Sequence, residues 1–253
     1  MGFLFLLKIG FIGFVAQIID GALGMGYGVF SSSFLISLGF YPAIVSASVH
    51  TSEVFTTFAS GISHLKFGNV EKRLVKFLTF FGVLGAILGV CGVVKISSEI
   101  VTPAVSIILL IMGFLILINF IFRNSMMKRG ARRYPKNRFK ILGLFAGFID
   151  AIGGGGWGPV CTTTLIVDGI EPNKVIGSVN FAEFFVTLVM SITFFSLLKP
   201  ENFRWDIVLA LTIGGIISAP FSAFICKRLP KRILGILVGL LVIILSAWRL
   251  WKF

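Results

Sequence analysis

Charge is scarce in this sequence, and acidic charge is scarcest: ten Asp and Glu stand against 23 Lys and Arg in 253 residues. Only two histidines and three cysteines add to the groups able to bind a metal or move a proton. Cys91, Cys161 and Cys226 are odd in number and lie in no CxxC or His-rich spacing. That excludes a disulfide framework and a zinc site, and each thiol reads as a small apolar packing group. The glycine-rich stretches lack the Lys-Ser/Thr of a phosphate loop, and no βαβ pattern surrounds them. No nucleophile–base pair is present either. An enzyme is not expected, and no cofactor or metal is implied.

Apolar residues are what remains. They form 57% of the chain, with charged residues at 13% and a mean hydropathy of +1.01. Charge-poor runs recur at 9–19, 29–49, 77–94, 103–122, 207–226 and 233–247. A hydrocarbon core of ~30 Å demands roughly 17–25 apolar residues per helix. Period-two alternation, the mark of a membrane barrel, is missing. The fold class is therefore an all-α polytopic membrane protein.

The net charge of +13 suggests nucleic acid until its placement is examined. Basic residues sit between apolar runs, most densely in "FRNSMMKRGARRYPKNRFK" at 122–140. That is a topology signal, and nucleic acid is not an expected partner. The expected partners are the lipid bilayer and a small solute, with a homo-oligomer left open.

The chain is written twice. Shifted by 130 positions, residues 13–58 align with 143–188 without a gap, and 17 of the 46 pairs are identical. Asp20 meets Asp150, Pro42 meets Pro172 and Glu53 meets Glu183 in one register, which apolar composition alone does not produce. The N-terminal run, despite its likeness to a leader, is therefore expected to be a helix of the mature fold, because its copy lies in mid-chain. Each copy reads as five segments: 3–21, 25–38, 42–64, 73–95 and 100–122, then 140–152, 157–168, 172–198, 206–226 and 231–250. The organisation is a first repeat at 1–122, a basic cytoplasmic linker at 123–140 and a second repeat at 141–253.

Loop 64–76, the linker and loop 226–232 are basic, whereas 95–99 and 199–206 balance to zero. With the basic loops in the cytoplasm, corresponding loops of the two copies fall on opposite sides of the membrane. The repeats are expected to be inverted, the arrangement of many secondary transporters, with a site at their interface near the midplane.

Two glycine-broken stretches point to that site: "DGALGMGYG" and "DAIGGGGWG". Freed backbone must find partners in protein or cargo, because lipid has none to offer. Gly24, Met25, Gly26 and Tyr27, with Gly154, Gly155, Gly156 and Trp157, are expected to present helix N-termini to an anion. A tight re-entrant turn or close helix contact explains the same glycines. Asp20 and Asp150 are either functional intramembrane acids or caps for orphan N–H groups. Glu53 and Glu183 follow the polar patches Ser48–His50 and Ser178–Asn180, and residues three apart share a helix face. His50 and Glu53 are candidates to hold or pass a proton; Glu183 and Asn180 are their copies. A polar contact binding two helices explains these residues too. Ser48, His50, Ser178 and Asn180 complete the expected substrate site, and without a Lys or Arg at this depth a small oxyanion suits it best.

These blocks, with the Pro loops and "GSVNFAEFF", resemble the TauE/SafE family, known as sulfite exporters. Across both halves the resemblance implies transport of sulfite or a related organosulfur anion through the cytoplasmic membrane. Met25 and Tyr27 depart from the family's fuller glycine run. A metal-cation transporter using the Asp/Glu/His set, and a non-transporting membrane scaffold, are the alternatives.

Overall fold

A computed structural model of the chain describes residues 2–66, 68–126, 136–168, 170–198, 203–226 and 231–251. Within them lie ten helices. The first five are α1 (Phe3–Leu23), α2 (Tyr27–Ser37), α3 (Pro42–Lys66), α4 (Lys72–Lys95) and α5 (Ser98–Met126). They are followed by α6 (Lys136–Gly153), α7 (Trp157–Val167), α8 (Pro172–Leu197), α9 (Trp205–Cys226) and α10 (Lys231–Trp251). All ten expected segments are present. The stretch read as linker is shorter than 123–140, since α5 runs to Met126 and α6 starts at Lys136. Long basic side chains can extend from a helix end to the membrane surface, so a charge run does not have to be a loop. The rest of that linker, 127–135, lies outside the described residues, as do 199–202 and 227–230 of the other loops read for charge.

The molecule is apolar outside and polar within. Phe11, Phe80, Ile141, Leu209 and Ile244 are each more than half exposed. Ser31, Ser32, Ser33, Ser46, Ser48, His50, Ser52 and Glu53 are all exposed by 2% or less. A soluble protein does the reverse, because only water rewards polar groups at a surface. Among the described residues, four helices are long and apolar enough to cross a membrane: Leu4–Gly21, Lys72–Lys95, Glu99–Ile121 and Lys174–Leu197. Shorter apolar helices at Tyr27–Ser37, Trp205–Ala219 and Ile236–Trp248 add to them. The protein is a multi-pass membrane protein.

Without a hydrophobic drive between helices in lipid, close packing over small residues holds them together. α1 lies on α9 and α6 lies on α4, with glycine at each contact. A Cβ on Gly13 would sit 2.8 Å from the Leu211 Cα, and one on Gly143 would sit 2.9 Å from the Leu78 carbonyl oxygen. Gly147 likewise rides on Gly82, so α4 and α6 run in the same direction; Gly10 beside Ala210 and Phe14 beside Gly214 show the same for α1 and α9. Other pairings include α3 with α8, α5 with α10, α4 with α8, α3 with α9, α2 with α10 and α5 with α7. Exchanging α1–α5 for α6–α10 carries these pairs into one another. At one end of α8, Lys174 donates to the Gly68 carbonyl at 2.5 Å and Ser178 accepts from the Glu71 N–H at 2.8 Å. That end of α8 lies beside the start of α4, whereas α9 sets out after the opposite end of α8.

Candidate functional site

Both glycine breaks are built the same way. Gly24 ends α1 with φ 68° and its N–H on the Asp20 carbonyl at 2.6 Å; Gly154 ends α6 with φ 67° and its N–H on the Asp150 carbonyl at 2.8 Å. The left-handed conformation is natural to glycine and turns the chain sharply after the helix. Three residues later α2 and α7 begin. The Trp157 N–H donates to Asp150 Oδ1 at 3.0 Å, and the Tyr27 N–H donates to Asp20 in the same way. Each acid therefore spans its own break and occupies the positive end of the helix that follows.

The breaks cross in direct contact. A Cβ on Gly28 would lie 2.8 Å from the Gly155 Cα, and one on Gly158 would lie 2.8 Å from the Met25 Cα. The carbonyls freed by each break are satisfied from the opposite repeat: Ser32 donates to the Gly154 oxygen and Thr162 donates to the Gly24 oxygen at 3.0 Å. Ser32 and Thr162 are partners under the 130-residue shift, as are Gly24 and Gly154. The crossing is thus reciprocal, bond for bond. Tyr27 and Trp157 wedge its two sides. The Tyr27 hydroxyl pairs with Ser52 Oγ at 2.5 Å, and the Trp157 indole N–H donates to the Val179 carbonyl at 3.1 Å. Trp157 is completely buried, with Gly82 leaving room for its ring. Trp157→Phe removes that hydrogen bond, worth about 0.5–1.5 kcal/mol, and leaves a smaller ring in a fully buried site. A lowered melting temperature of the detergent-purified variant is the expected result.

The symmetry fails at His50. Its Nε2 donates to the Asp150 carbonyl at 3.2 Å, across the repeat boundary, and its Nδ1 lies 2.8 Å from Glu53 Oε2. A carbonyl can only accept, so the hydrogen between Nδ1 and Oε2 belongs to the pair. Either an imidazolium donates to a carboxylate or a carboxylic acid donates to a neutral ring. Asp150 Oδ2 stands 3.9 Å from the same Nδ1 and has no hydrogen-bond partner. In the second copy Asn180 replaces His50; its Oδ1 accepts from Ser60 at 3.0 Å and its amide donates to the Ile176 carbonyl at 3.2 Å. Glu183 is buried and lies within electrostatic reach of Asp20, Glu53 and Asp150. Among the described residues no Lys or Arg is buried, and no three His, Cys, Asp or Glu converge as metal ligands. Of the four carboxyl groups of Asp20, Glu53, Asp150 and Glu183, those of Glu53 and Asp150 face the imidazole.

The structure brings Gly24, Met25, Gly26, Tyr27, Gly154, Gly155, Gly156 and Trp157 together with Asp20, Asp150, His50 and Glu53. Glu183 stands near these acids, whereas Ser48, Ser178 and Asn180 are set apart. Ser48 donates along its own helix to the Ile44 carbonyl at 2.7 Å, Ser178 holds the Glu71 N–H and Asn180 faces Ser60. Sequence reasoning missed Ser32, Ser46 and Thr162, the hydroxyls that hold the breaks; Ser46 donates to the Ala151 carbonyl at 2.6 Å. The signal was available in Ser32 and Ser33 standing in register with Thr162 and Thr163.

Comparison with known proteins agrees with this architecture. The sulfite exporter TauE/SafE family model matches residues 9–249. The probable membrane transporter protein YtnM of Bacillus subtilis (strain 168) is 42% identical over 245 residues, covering 96% of this chain and 81% of its own length. No solved structure matches.

Proposed function

This chain belongs to the TauE/SafE family of membrane transporters, and from that premise we propose that it moves a small sulfur oxyanion, sulfite or a related organosulfur anion. The route is alternating access across the cytoplasmic membrane, coupled to protons. The observation carrying this reading is that Asp20 and Asp150 hold the N-termini of α2 and α7 at the crossing. A carboxylate and an oxyanion offer a helix N-terminus the same acceptor oxygens. An acid that takes up a proton loosens its hold on the N–H and yields that place to cargo. His50, between Glu53 and Asp150, is the group through which the proton reaches the second break. Charge balance then ties proton to anion.

Several features support inverted repeats. The main pairings, α1 with α9 and α4 with α6, and α4 with α8 and α3 with α9, exchange with the repeats, and α4 and α9 start from opposite ends of α8. With the basic loops inside, α4 and α6 enter from the cytoplasm and α1 and α9 from outside. Parting of the crossing toward either face would alternate access to a shared site.

Labelled sulfite flux into proteoliposomes tests the proposal. Uptake above empty vesicles that responds to an imposed pH gradient is the expected outcome. Background flux under every gradient sinks it, and stabilisation by a divalent cation rather than sulfite would point to metal transport instead.

A further inference from the structure

A second feature lies on the outer face, away from the crossing. Helices α4, α6 and α8 enclose a groove of about 680 Å³. Its walls are largely aromatic, with Phe77, Phe80, Phe81 and Phe185 among the lining residues, and it has two cations, Lys76 and Lys140, with no acidic side chain. The two lysines are level with each other. α4 and α6 run in parallel with Gly143 against Leu78, so Lys76 and Lys140 stand two and three residues before one shared contact point. Lys140 Nζ lies 5.6 Å from the centre of the Phe81 ring, which holds its stem along the aromatic wall. Thr79, in the same wall, has a hydroxyl without a hydrogen-bond partner.

We propose that this groove binds an anionic phospholipid, its phosphate between Lys76 and Lys140 and its acyl chains along the phenylalanines. Phe80 is 61% exposed on the apolar outer surface, so the groove opens to the bilayer and its occupant comes from there. Two ammonium groups at the end of an apolar trough complement a headgroup with net negative charge, and basic sites between membrane helices recognise lipids in this way. Because α4 belongs to the first repeat and α6 to the second, the bound lipid bridges the two repeats and stabilises the conformation described here.

The test uses the full-length protein, purified in detergent, delipidated and melted with added phosphatidylglycerol, phosphatidylcholine or inorganic phosphate. A ligand that binds only the folded state raises the melting temperature with concentration. Phosphatidylglycerol is expected to do so, and the other two are not. The K76Q/K140Q double variant is expected to lose most of the shift, while Lys95→Gln, at the far end of α4, keeps it. Native mass spectrometry of both variants gives a second readout, with fewer retained phosphatidylglycerol molecules on the double variant. An equal shift from phosphatidylcholine would reduce the groove to ordinary lipid contact. An equal shift from inorganic phosphate would show a soluble-anion site. Either result, or undiminished lipid retention by K76Q/K140Q, overturns the proposal.

Discussion

Gly155→Ala is expected to abolish transport and to lower stability sharply. The new Cβ would overlap the Val29 nitrogen and the Gly28 carbonyl carbon, with the Val29 Cα only 2.7 Å away. All three are backbone atoms, so no rotamer change relieves the clash, and α2 and α7 must part. Overpacking a well-filled interior costs about 1–3 kcal/mol where side chains can adjust; with backbone on both sides the upper end applies. Gly28→Ala, facing the Gly155 Cα, is expected to behave the same way. Gly92→Ala is the control: nothing lies within 4 Å of its Cβ, and alanine favours a helix interior over glycine by about 0.5–1 kcal/mol. Thermal unfolding in detergent and flux in proteoliposomes, measured on all three, separate packing from transport. Wild-type melting and flux in Gly155→Ala would show that the crossing is not the tight contact described. The bulkier Gly155→Leu bears on the scaffold alternative, because a folded variant without flux excludes a purely structural protein.

The second large effect is expected at Asp150. Asparagine keeps an oxygen to accept from the Trp157 N–H but has no exchangeable carboxyl proton. Asp150→Asn should therefore melt close to the wild type and lose the response of flux to an imposed pH gradient. Asp150→Ala also removes the cap, which adds a stability loss of about 0.5–2 kcal/mol. Glu53→Gln is expected to repeat the asparagine result, since the proton shared with His50 Nδ1 at 2.8 Å can then no longer exchange between acid and ring. Asp20→Asn should be milder, because in the second copy Asn180 stands where the first has His50. Equal loss of pH response in Asp20→Asn and Asp150→Asn would rule out the His50 route.

Much of this architecture was legible in the residues. Ten segments emerged from apolar runs and turn chemistry because, in lipid, a spanning helix must satisfy every backbone group itself and so needs an uninterrupted apolar stretch. The breaks were legible because glycine is the residue for the left-handed turns at Gly24 and Gly154. The capping role of Asp20 and Asp150 was one of two readings, and the Trp157 N–H on Asp150 Oδ1 realises it. Ser178 was misplaced by reasoning from sequence alone. Its position about two turns before the middle of α8 resembles that of a site residue, yet its hydroxyl is taken by the Glu71 N–H from the loop before α4.

Local chemistry written along the chain determined the number of helices, the duplication and the two broken stretches. Propensity, hydropathy and φ preference act over a few residues, and repetition needs only comparison. Which atoms meet across the boundary between repeats was decided by the tertiary structure alone. Ser32 on Gly154, Thr162 on Gly24, and His50 between Glu53 and the Asp150 carbonyl join residues separated by a hundred or more positions, Glu53 excepted. No periodicity encodes such contacts, because they depend on how closely helices approach, and glycine sets that distance only once the partner helix is in place.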